Sequence, residues 1–120
     1  MSKILVVDDE ENISKFICKS LKKEGHSVLS AYDYDSAINR INRSSVDLII
    51  SDVMMPYSGG FDIVDYIKSN ERLKNIPVIL VTGMDKDILD SSTSKANAVL
   101  SKPFEMSQLI ELVNANIILE

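Results

Sequence analysis

An excess of positive charge, a glycine-rich loop after the first apolar run and an apolar run of membrane length are all missing from this chain, and each absence removes a class of function. Its 13 Lys and Arg against 18 Asp and Glu leave a net charge of -5. Phosphate backbones and anionic membranes are held by clustered lysine and arginine, so neither is expected as a direct partner. No stretch approaches the roughly 20 apolar residues of a membrane span. The start turns too polar after Val7 for a signal peptide, and a soluble cytoplasmic protein is the default expectation. The lone cysteine, Cys18, cannot form an internal disulfide, which agrees with a reducing compartment. No Gly-rich loop follows the first apolar run, so a dinucleotide-binding role fails.

What the chain does have is a series of apolar runs that each stop at polar groups. Residues 48–56 read LIISDVMMP: the aliphatics, with no polar alternation, suit the end of a strand buried on both faces, and Asp52 stands where it stops. Ile4-Leu5-Val6-Val7 runs into Asp8 and Asp9, Val78-Ile79-Leu80-Val81 into Thr82, and Val99-Leu100 into Ser101 and Lys102. In open parallel sheets the carboxyl ends of the strands border the ligand crevice. If these strands are parallel neighbours, three carboxylates, a hydroxyl and an ammonium converge on one rim. Acids held together there must take up protons or bind a cation. Oxygen-only ligands select a hard ion, and a few carboxylates suit Mg2+, which keeps several waters.

The chain of 120 residues makes one domain, which buries roughly two-thirds of its unfolded surface. Residues 3–7 form a first strand, and the acidic run Asp8-Asp9-Glu10-Glu11 ends it and caps a helix with Ile13, Phe16, Ile17 and Leu21 inward. Gly25 ends that helix. Residues 27–31 are a more polar edge strand, after which Asp33 or Asp35 caps a helix with Ala37, Ile38 and Ile41 inward. Tyr57-Ser58-Gly59-Gly60 reads as a turn that uses positive backbone angles, followed by a helix burying Phe61, Val64 and Ile67. Pro77 opens the fourth strand. A helix from Asp85 to Asp90 is expected to be short or irregular, because Ser91-Ser92-Thr93-Ser94 are poor helix formers. A last helix starts near Glu105 with Leu109, Ile110, Leu112, Val113 and Ile117 apolar. Strands alternating with helices predict an α/β fold with a parallel sheet and helices on both faces.

The motifs "KILVVDDE", "DVMMP" with its later Gly-Gly-Phe, "VILVTG" and "LSKPF", in this order and spacing, resemble the receiver domain of two-component response regulators, from Lys3 to about Ile117. The resemblance implies a flavodoxin-like doubly wound fold with five strands ordered 2-1-3-4-5. It implies that residues 1–120 are a single receiver domain, a phosphoacceptor and not an enzyme in the usual sense. Asp52 would accept a phosphoryl group from a sensor histidine kinase or phosphotransfer protein. Asp9 would ligate Mg2+ directly, Asp8 mostly through water, with Asp52 and the Met54 backbone carbonyl completing the protein's share. Thr82 would hydrogen-bond one phosphoryl oxygen and Lys102 would pair with another, after a cis bond to Pro103. The domain would catalyse only its own phosphorylation and dephosphorylation, and switch conformation to signal to an output domain or partner. A phosphatase and a homodimer on activation belong to the same expectation.

The chain departs from the family at Val99, where receivers usually carry a tyrosine or phenylalanine, and in the polar segment 83–101, the usual output surface. Phosphorylation is therefore expected to be retained while the surface change is transmitted differently. The alternative is a degenerate receiver acting as a constitutive protein-interaction module, against which intact Asp8, Asp9, Asp52, Thr82 and Lys102 speak. A Mg2+-dependent phosphohydrolase would want a second carboxylate two residues after its nucleophile, where Met54 stands, and a substrate-covering cap. His26 lies in a turn without metal-type neighbours in sequence, and Cys18 reads as a small half-buried side chain.

Overall fold

The computed structural model describes residues 2–55, 58–83 and 95–117. In chain order the elements are β1 (Lys3–Val7), α1 (Glu11–Lys23), β2 (Ser27–Ala31), α2 (Tyr34–Arg43), β3 (Leu48–Asp52), α3 (Gly60–Lys68), β4 (Val78–Thr82), β5 (Ala98–Ser101) and α4 (Met106–Asn116). All strand pairs are parallel and the sheet order is β2-β1-β3-β4-β5. This is the flavodoxin-like architecture that the family resemblance implied. The short or irregular helix expected over 85–90 lies outside the described residues, as does Tyr57 of the expected turn.

Alternation along the strands splits the core into two layers. Ile4, Val6, Leu48, Ile50, Ile79 and Val81 face Ile17 and Leu21 of α1 and Leu109 and Val113 of α4. Leu5, Val7, Ile49 and Leu80 face Ala37 and Ile41 of α2 and Ile63, Val64 and Ile67 of α3. Every residue of β3 and β4 is buried, whereas β2, at the sheet edge, is mostly half-exposed. Strands covered on both sides have no polar face to offer, which is why these two run apolar until the polar residues at their carboxyl ends.

Helix ends follow local chemistry. The Asp33 carboxylate accepts the Ser36 backbone N–H at 2.8 Å and caps α2. At the end of α1, Gly25 takes a φ of +94°, donates to the Lys22 carbonyl, and lets His26 donate to the Leu21 carbonyl. This pair of bonds is a Schellman motif, open to glycine because it has no Cβ.

Two expectations are corrected. Phe16 is not inward: it is 60% exposed, and the buried line of α1 runs through Ser14, Ile17 and Leu21. Residues three and four apart share a helix face, so a line through 14, 17 and 21 leaves position 16 at its margin. There Phe16 joins Ile13, Pro103, Phe104 and Met106 around a shallow groove. The turn before α3 does not rest on positive backbone angles either, since Gly59 has φ of -111° and Gly60 begins the helix. Both positions need glycine for space. A Cβ at Gly59 would lie 2.1 Å from the Val53 carbonyl oxygen, and one at Gly60 would lie 2.7 Å from the Asp52 carbonyl oxygen.

Candidate functional site

Parallel register brings the polar strand ends to one level. Val7 is aligned with Ser51 and Asp52 with Val81, so Asp8 leaves β1 beside Asp52, and Thr82 follows on β4. Ser101 is aligned with Thr82, which puts Lys102 at the same rim. Its backbone N–H donates to the Thr82 carbonyl at 2.7 Å. The close packing of Gly59 and Gly60 against the Val53 and Asp52 carbonyls, with the Gly60 N–H donating to Val53 O at 3.2 Å, fixes the backbone behind Asp52.

Asp52 is 5% exposed and committed through both oxygens. Oδ2 accepts from Lys102 Nζ at 3.0 Å, and Oδ1 accepts the Met54 backbone N–H at 3.1 Å. Asp8 is also buried and accepts the Glu10 backbone N–H at 2.8 Å. Carboxylate oxygens of Asp8, Glu10 and Asp52 lie within 4.8 Å of one another. Burial pushes the Asp8 carboxyl above the usual range; the Glu10 N–H pulls it back in part, and the Asp52 charge raises it further against the opposing pull of Lys102. For Lys102 burial works against the ammonium, but the hydrogen bond and charge of Asp52, helped by Asp8 and Glu10, outweigh it and hold the group above its ordinary value.

Of the residues marked in the sequence, Asp8, Asp52 and Lys102 are brought into contact range, and Thr82 is fully buried at the adjoining strand end. Asp9 is exposed and stands outside the three-carboxylate group, whose third member is Glu10. Sequence reasoning gave Glu10 only a capping role. The chain bends at Asp9, and the Glu10 carboxylate comes back to the side of Asp8 and Asp52, a turn that the run of four acids does not reveal. The Met54 side chain is 63% exposed while its N–H holds Asp52. The bond from Lys102 to Pro103 is cis, as the resemblance implied.

The donor set suits a hard divalent cation. Three carboxylates against one ammonium leave two negative charges in a rim of oxygen ligands only, and such a set selects Mg2+-like ions over thiolate- or imidazole-loving metals.

Comparison with known proteins agrees. Residues 4–114 match the family described as "Response regulator receiver domain". The chain belongs to that family. It is 33% identical over 115 residues to the phosphate regulon transcriptional regulatory protein PhoB of Escherichia coli, covering 94% of this chain and 50% of that protein. It is equally 33% identical over 117 residues to the regulatory protein VanR of Enterococcus faecium, covering 96% of this chain and 49% of the relative. This receiver thus spans about half the length of the curated relatives it matches. Its fold is similar to the response regulator TrrA of Thermotoga maritima, solved in complex with Mg(2+)-BeF, at a TM-score of 0.88 and 29% identity, covering 98% of this chain and 100% of that one. It is similar also to the chemotaxis response regulator CheY4 of Vibrio cholerae, at a TM-score of 0.90 and 28% identity, covering 98% and 99%. Receiver domains are signalling domains. Among the described residues of this one, no helix is long and apolar enough to cross a membrane.

Proposed function

We propose that residues 1–120 act as a single cytoplasmic receiver domain in which Asp52 accepts a phosphoryl group from a sensor histidine kinase or phosphotransfer protein, with Mg2+ bound at the rim. The observation that carries this reading is the Lys102–Asp52 pair at 3.0 Å beside a three-carboxylate cluster. That arrangement sets the proposed nucleophile beside a cation and beside oxygen atoms suited to a divalent ion.

Asp52, Asp8 and Asp9 are the side chains proposed to serve Mg2+, with the Met54 carbonyl. When bound, Mg2+ would supply neutralisation of the charge on the phosphoryl oxygens. An oxygen of Asp52 attacks phosphorus, forming a P–O bond as the bond from phosphorus to the donor histidine nitrogen breaks, and the nitrogen keeps the electron pair. Phosphoryl transfer needs positioning and charge stabilisation more than covalent assistance. Met54 N–H and the clamped backbone behind Asp52 supply the positioning. Lys102 moves its ammonium from the carboxylate to a phosphoryl oxygen, and the Thr82 hydroxyl donates to another. The domain in this way promotes its own phosphorylation and later hydrolysis.

The added charge biases a two-state equilibrium read by an output domain or partner protein. The relatives named as transcriptional regulators are twice as long, which favours an output step outside these residues. With a net charge of -5 the receiver itself makes no direct contact with nucleic acid. Val99, which packs against the core shared with α2 and α3, replaces the ring of other receivers, so transmission runs without ring rotation.

Intact mass after incubation with acetyl phosphate and Mg2+ tests this, for wild type beside Asp52→Ala. One Mg2+-dependent phosphoryl adduct, absent in the variant, is expected. A folded wild type that takes none would replace this reading with a constitutive interaction module.

A further inference from the structure

A second feature lies at the opposite margin of the sheet from β5. β2 is an outer strand. The Ser27 N–H donates to Ser2 and the Ala31 carbonyl accepts from Asp8, so these residues direct their backbone toward β1. Alternation then turns the N–H and C=O groups of Val28 and Ser30 outward. The side chains of the same two residues border a groove of about 560 Å³ between β2 and α1.

The other wall of that groove is basic. Lys15, Lys19, Lys22 and Lys23 all line it, and no acid occurs from Asn12 to Lys23 in a chain that is acidic as a whole. Lys15 pairs with Glu11 at 3.5 Å in an exposed contact; among the described residues the other three have no carboxylate within ion-pair distance. Ser14, also lining the groove, is 1% exposed, and its hydroxyl oxygen has no hydrogen-bond partner. The Cys18 thiol is near enough to be influenced by that hydroxyl, but the pair does not reach hydrogen-bond geometry.

Open edge strands are ordinarily blunted by charge or proline on the strand itself. β2 reads SVLSA and has neither. The cations sit on the neighbouring helix, where they leave the strand free and favour an anionic visitor. We propose that this groove receives an extended acidic segment of a partner protein. The segment adds to β2 as a sixth strand, its backbone on the outward groups of Val28 and Ser30 and its carboxylates against the α1 lysines. A second copy of this chain suits the place poorly, because joining two β2 edges would bring two lysine-lined helices together.

The test uses a labelled peptide of alternating Glu and Val, about seven residues long, a typical strand length. Binding is followed by polarisation and by amide spectra of the whole chain. Shifts centred on residues 27–32 and slowed exchange of the Val28 and Ser30 amides are expected. Lys19→Glu with Lys22→Glu should weaken binding about tenfold or more, since each reversal replaces an attraction by a repulsion. Ser30→Pro should abolish it by removing an outward donor, at a position where an edge strand accepts proline. Equal binding by a folded Ser30→Pro variant would reduce the effect to loose charge attraction and overturn strand addition. Should that variant not fold, unchanged exchange at Val28 and Ser30 in wild type saturated with peptide overturns it equally. Capture by phosphatidylserine vesicles with no peptide binding would also refute it.

Discussion

Replacing Asp8 by Asn should stabilise the protein when no divalent ion is present and reverse that advantage when Mg2+ is added. The substitution removes a charge but keeps an oxygen that can accept the Glu10 N–H now bonded at 2.8 Å. Two unit charges at 4.8 Å, the outer limit of the oxygen spacing in the cluster, repel by about 3.5 kcal/mol at an effective dielectric of ~20. Asp8 has two such neighbours; the Lys102 ammonium offsets roughly one, and exposure of Glu10 screens the other, which leaves a relief of about 1–2 kcal/mol. In a domain of this size that is roughly 4–8 °C in Tm.

The pH dependence follows from the raised Asp8 pKa. A carboxyl that holds its proton more tightly when folded makes stability fall as pH rises. Below the ordinary carboxylate range both proteins are neutral at this position and the difference closes. It opens as pH rises through that range and is complete once pH exceeds the raised folded value. With Mg2+ at a hundred times its dissociation constant, wild type gains about 2.7 kcal/mol and the variant much less, so the order of the two melting temperatures inverts. Calorimetry in EDTA and in Mg2+, at neutral pH and at pH 4, provides the measurement. A variant that melts below wild type in EDTA, or rises equally with Mg2+, would refute the account of Asp8 as a strained metal-site carboxylate.

Other consequences are smaller in scope. Gly59→Ala should cost about 2–4 kcal/mol by urea denaturation, from overpacking and loss of the Gly60–Val53 bond, although its φ of -111° suits alanine; a neutral result would show that the turn yields freely. Asn97→Ala removes the oxygen that accepts both the Val78 N–H at 3.0 Å and Lys68 Nζ at 3.1 Å, and should lower stability by about 1–3 kcal/mol in the same assay. Phe16→Ser should change stability by no more than about 0.5 kcal/mol, since the ring is 60% exposed. Burial pushes the Cys18 thiol up, so its reaction with a disulfide reagent at pH 8 should be slower than that of free cysteine, and faster modification would contradict its half-buried place.

The sheet was legible because parallel strands covered on both sides leave an unmistakable pattern: Leu48-Ile49-Ile50 and Val78-Ile79-Leu80-Val81 have no polar positions to mistake for a surface. The converging rim followed from where those runs stop. Less legible was anything set by the phase of a helix or by contacts distant in sequence. Ile13, Phe16, Ile17 and Leu21 make an acceptable stripe on paper, yet docking of α1 against the sheet rotates Ser14 inward and Phe16 out. Gly59 and Gly60 signalled a tight place, but its cause, carbonyls of residues 52 and 53 pressed against them, lies across a loop. Glu10 was hidden in a run of four acids, where composition cannot say which side chain turns back toward Asp52.

Lys102 is fastened twice, by its backbone to the end of β4 and by its ammonium to the end of β3. A member pinned at both ends acts as a strut. On the proposed function, an anion added at Asp52 would draw the ammonium and pull on the short segment that leads through Pro103 and Phe104 into α4. The lever arm is one side chain long and the load falls on the groove where Phe16 is displayed. Under the proposed phosphorylation, a change of charge at Asp52 would in this way become displacement at the surface, without any large group having to turn over inside the fold.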